Sequence, residues 1–141
     1  MDDAGYTIRY RADRPFDEAV AAVTDALAGE GFGILCDIDV RATLAEKLGA
    51  EFRQYRILGA CNPSLAHEAM EAEPELGALL PCNVIVYETD DGGVGVSAVD
   101  PGELLSVVDN DALDPIADEV AERLDRALDG CRGLTRAGAV D

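Results

Sequence analysis

Lysine is nearly missing from this chain of 141 residues. Lys47 is the only one, and Lys and Arg together number 11 against 29 Asp and Glu, for a formal net charge of −18. Affinity for a phosphate backbone comes from Lys and Arg, so nucleic acid is excluded as a natural partner. Long apolar runs are absent too. The longest uncharged stretch, residues 76–87, holds 12 residues and contains Pro81, too short to span a membrane. The acidic Met1-Asp2-Asp3 opening lacks the basic start and apolar run of a secretory leader, so a cytoplasmic protein is expected. Histidine is represented by His67 alone. A structural zinc ion wants four ligands, and only Cys61, Cys82 and His67 are on offer beside the carboxylates; no metal or cofactor is expected. Cys36, Cys61, Cys82 and Cys131 show no Cys-x-x-Cys spacing, and in a reducing compartment they do not imply a disulfide framework. Nucleotide loops, a Ser-His-Asp order and metalloprotease motifs do not occur.

What is present is a core. Apolar residues make up 48% of the chain and mean hydropathy is +0.02, which argues against disorder. A folded, acidic, lysine-poor chain reads as adapted to a salty cytoplasm. At 1 M salt the Debye length is about 3 Å, so carboxylate repulsion is screened.

The apolar pattern predicts one α+β domain over residues 5–130, followed by a loose tail at 131–141. Tyr6, Ile8 and Tyr10 alternate as a first strand. Phe16, Ala19, Val20, Val23 and Leu27 share one face of a helix at 15–29. A second strand covers 33–39, a short helix 40–48 and a third strand 53–60. Asn62 and Pro63 have the chemistry of a helix cap and first turn. A fourth strand at 83–88 and a fifth at 94–99 flank a Thr-Asp-Asp-Gly-Gly hairpin loop. Asp114-Pro115 opens a final helix to residue 129. The hairpin makes the five-stranded sheet largely antiparallel, with both long helices expected on one face.

The run "EKLGAEFRQYRILGACNPSLAHEAMEAEPELGALLPCNVIVYE" resembles the core signature of the domain-of-unknown-function family 302. Its specific pieces are Tyr-Arg-Ile-Leu-Gly-Ala-Cys-Asn-Pro and Leu-Leu-Pro-Cys-Asn. The resemblance implies a β-α-β(4)-α fold of TATA-binding-protein-like topology and a homodimer, and it implies no established activity. Cys36 and Cys131 lie outside that pattern.

Candidate site residues cluster around the two Cys-Asn pairs. If the third and fourth strands are antiparallel neighbours, Cys61-Asn62 and Cys82-Asn83 meet at one corner. A thiol at Cys61 would then sit near a positive helix end, which lowers a thiol pKa. Cysteine is also a small buried hydrophobe, and that reading stays open. His67 falls at the edge of the helix's apolar stripe and is expected to be peripheral. Lys47 and Arg56 are candidates for holding an anion, or they pair with neighbouring carboxylates. Three functions follow: a small-ligand binding or sensor module at the Cys61/Cys82 corner, with a small molecule or anion as ligand; a thiol enzyme or carrier of sulfur or redox chemistry using Cys61 and Cys82; or an interaction domain without chemistry.

Overall fold

Alternation of apolar and polar residues builds a single antiparallel sheet. The computed structural model describes residues 5–137, with strands β1 (Thr7–Ala12), β2 (Gly33–Asp39), β3 (Tyr55–Cys61), β4 (Cys82–Glu88), β5 (Val94–Val99) and β6 (Leu134–Arg136). Their order is β2-β3-β4-β5-β1-β6. The α+β fold is as expected, with one strand more. The tail read as loose from residue 131 returns to the sheet: Arg11 pairs with Thr135 and Ala12 with Leu134. Three residues are too short to show a period of two, so β6 left no pattern to read. Residues 138–141 of that tail, like the Met1-Asp2-Asp3 opening, lie outside the described residues.

Both long helices pack on one face. α1 (Phe16–Ala28) buries Ala19, Val20, Val23 and Leu27; α5 (Asp114–Asp129) buries Leu124, Ala127 and Leu128. They meet the inward-facing Tyr10, Leu58, Val84, Val86 and Val96 in one cluster. Tyr6 is exposed, and Ala12 takes the third inward place on β1. Cys131, beyond the expected domain, is buried with Sγ 3.6 Å from the Ala22 carbonyl oxygen.

Among the described residues, neither long helix covers the other face, and Leu79 and Leu104 reach only its Asn83–Ile85 end. On that face the register aligns Ile38, Ile57 and Ile85 across β2, β3 and β4, with Tyr55 opposite Tyr87 one step along. The two tyrosine rings lie 5.6 Å apart. This apolar row stands open on the outer side of the sheet.

The inserts decide the shape at one end. α2 (Val40–Leu48) forms where expected, capped by Asp39 and stopped by Gly49 at φ 65°. It buries none of its side chains, and Leu48 is 74% exposed. α3 (Pro63–Ala72), a 3-10 turn at Pro74–Leu79 and α4 (Pro101–Leu105) fold over the end of the sheet and share a second apolar cluster with Leu113 and Ile116. α4 was not expected from the sequence. Its signal was nevertheless present: Asp100-Pro101 repeats the Asp-Pro opening of α5, and the Asp100 carboxylate accepts from the Gly102 amide at 3.0 Å.

Candidate functional site

Cys61 is the last residue of β3 and Cys82 the first of β4. Because the strands are antiparallel, these ends coincide: Ala60 stands opposite Cys82, and Cys61 is one residue further. At this end the chain leaves the sheet. Asn62 is extended, and its side chain accepts from the Leu65 amide at 3.3 Å, capping α3 as its position before Pro63 predicts. Asn62 is 8% exposed, buried as a polar group that has work to do on the backbone.

A cavity of about 300 Å³ opens over these residues. Ala60, Cys61, Asn62 and Cys82 form its base. α3 contributes Leu65, Ala69 and Met70, and the 3-10 turn contributes Leu76. Leu104 and Leu105 of α4 and Ile116 and Val120 of α5 close the far side. Among the described residues, the wall holds no carboxylate, imidazole, ammonium or guanidinium group.

This environment raises the pKa of both thiols. The expected lowering of the Cys61 pKa by the α3 terminus does not occur. Burial raises it instead. Cys82 is pushed up to about 11, first by burial and then by the neighbouring Cys61. Removing an anion from water outweighs the half-charge of a helix end when the walls are alkyl. Both thiols are therefore protonated near neutral pH, and both are free of disulfide bonds.

The other candidates separate from this corner. Asn83 follows Cys82 in β4, so alternation turns it to the outer face, opposite Gly59. A Cβ built on Gly59 would lie 2.6 Å from Cys36 Sγ and 2.8 Å from Pro81 Cγ, so only glycine fits beneath that pair. Arg56 is held by Asp37 through two bonds, Nε at 2.7 Å and Nη2 at 2.5 Å, which lower the Asp37 pKa. It is a brace between β2 and β3. Lys47 is exposed on α2 and does not line the cavity. His67 points outward at 78% exposure, 3.6 Å from Glu71. The apolar walls from α4 and α5 were not read from the sequence, because they are distant in the chain and converge only through the fold.

An open-faced antiparallel sheet, two long helices on its other side and a thiol-lined cavity at its end define a two-layer α+β domain. The chain belongs to the family described as Domain of unknown function DUF302, whose model matches residues 6–131. It is similar to an uncharacterized protein of Aquifex aeolicus (strain VF5), 26% identical over 114 residues, 81% of this chain and 72% of the relative. It is also similar to the crystal structure of an uncharacterized conserved DUF302 protein from Bacillus stearothermophilus. That match has a TM-score of 0.84 and 30% identity over 92% of this chain and all of the other.

Proposed function

We propose that this protein is a binding module without catalytic chemistry of its own, and that its ligand enters the cavity at the Cys61/Cys82 corner. The observation that carries this reading is the cavity itself: about 300 Å³, walled by alkyl groups and based on two unbridged thiols. That is the small end of the range for ligand pockets. A thiol enzyme is the weaker reading, because both thiols are held protonated and no base lines the wall among the described residues. An anion is the weaker ligand for the same reason.

The test is a methyl NMR titration with toluene as a neutral probe; apolar cavities of half this volume take up benzene. Saturable shifts confined to Leu65, Leu105 and Ile116 support the reading. Their loss in Ala69→Phe, with the fold intact, localises it. Scattered or non-saturating shifts contradict it.

The working form we propose is a homodimer in a salty, reducing cytoplasm. The partner is a second copy seated on the outer row of Ile38, Ile57 and Ile85. An uncharged row is self-complementary about a two-fold axis. The −18 charge opposes association until salt screens it. Sedimentation in high salt is expected to give about twice 14.9 kDa, and Ile57→Asp to give the monomer. A wild-type monomer at micromolar concentration contradicts this part. Among the described residues, no helix is long and apolar enough to cross a membrane.

A further inference from the structure

We infer that the Cys61/Cys82 pair is a binding site for a soft univalent d10 cation, of which copper(I) is the natural example. This rests on the cavity reading above and names its ligand. Three sulfur atoms line one cavity: the thiols of Cys61 and Cys82, and the thioether of Met70, a residue 40% exposed. Sulfur donors select copper(I) among biological cations. Calcium and magnesium need oxygen ligands, and the wall offers only the Asn62 side chain, whose oxygen is engaged with the Leu65 amide. Zinc wants four ligands, and no group of three or more His, Cys, Asp or Glu side chains gathers among the described residues. Two thiols suffice for a two-coordinate d10 ion.

The electrostatics fit a bis-thiolate complex. Binding breaks two S–H bonds, forms two metal–sulfur bonds and releases two protons to water. No electron moves. The product carries one net negative charge. It forms beside the N-terminus of α3, a helix of ten residues whose positive end lies next to Cys61. The raised thiol pKa values become a cost that metal–sulfur bonding offsets, and they keep the empty site neutral. The acidic surface, at −18, concentrates cations around the chain.

The test uses the full chain, reduced and handled without oxygen. Copper(I) is supplied as its bathocuproine disulfonate complex, and transfer to the protein is followed by loss of the chelate colour. One ion per chain is expected, with two protons released and an ultraviolet thiolate-to-copper band. Cys61→Ser and Cys82→Ser should each weaken binding by more than the roughly 10–100-fold that loss of an outer-shell partner costs. Cys36→Ser and Cys131→Ser should leave it unchanged. Alkylation mapping of the wild-type protein reads the site without any substitution: copper(I) should protect Cys61 and Cys82 and leave Cys36 reactive. Uptake that persists in both Cys61→Ser and Cys82→Ser, or protection of Cys36 instead, overturns the inference. If toluene titrates the cavity while copper(I) ignores these thiols, the metal inference alone fails. If neither binds, the cavity reading fails with it.

Discussion

Cys61 and Cys82 are 21 positions apart in the chain and adjacent in the fold, because Ala60 pairs with Cys82 across the β3–β4 ladder. The antiparallel register brings the two strand ends together, and both residues line the cavity at that end. The same step that ends β3 begins α3, so the thiol pair, the Asn62 cap and the cavity base are one local structure.

Asn62→Ala removes the side chain that caps the Leu65 amide. The expected loss is about 1 kcal/mol of unfolding free energy, in the ordinary range for a cap. Cys61→Ser should cost less than a core truncation, because Cys61 is only partly buried. Urea denaturation of the two variants checks the order. A larger loss at Cys61 than at Asn62 would mean that the thiol, and not the cap, holds the corner.

Gly59→Ala places a methyl group 2.6 Å from Cys36 Sγ and 2.8 Å from Pro81 Cγ. Overpacking of this kind costs about 1–3 kcal/mol. Adding Cys36→Ala should recover part of the loss, since the Pro81 ring remains. Full recovery, or no loss to begin with, would show that the two side chains move aside freely.

These predictions rest on features of unequal legibility. The Asn-Pro cap, the 94–99 strand and the 114–129 helix were legible because each is written locally, in neighbouring residues or in a steady period. The meeting of Cys61 with Cys82 was legible only on the condition that the third and fourth strands are antiparallel neighbours, which the pairing of Ala60 with Cys82 fulfils. Three things were not. β6 is too short to carry a period. The direction of the thiol pKa shift was not legible, because the helix end is local in sequence, whereas burial comes from a cavity whose walls converge from α3, the 3-10 turn, α4 and α5. The matched Cys-Asn dipeptides suggested one corner for all four residues, yet strand alternation sends Asn83 to the opposite face from Cys82.

Alkaline pH should destabilise the fold through Cys82. Burial keeps this thiol protonated up to about 11, against 9.0 for an ordinary cysteine. The folded chain then holds a proton that the unfolded chain gives up. The stabilisation is complete below pH 9.0 and is lost as pH rises towards 11, by roughly 2–3 kcal/mol at full titration. Tyr10, whose pKa is raised by burial and by its bond to Asp129, acts in the same direction above pH 10.0. Urea midpoints on either side of this window should fall for the wild type and fall less for Cys82→Ala. Equal alkaline losses in both chains would contradict the burial of this thiol.

Salt should raise the melting temperature. With 29 carboxylates and 11 basic side chains, repulsion in the folded state is screened as the Debye length shortens. A thermal melt from about 0.1 M to about 3 M KCl is expected to show a rising midpoint. A flat or falling midpoint would remove the case for a salty habitat.

The central claim is that the space over Cys61 and Cys82 is a standing apolar site. A crystal of the reduced protein equilibrated with xenon tests it most directly, because xenon enters dry apolar cavities and gives strong density. The expected result is a xenon atom bounded by Cys61, Ala69, Cys82 and Ile116, with those side chains unmoved. A collapsed wall, with Leu65 and Leu105 filling the space and xenon bound elsewhere, would contradict it.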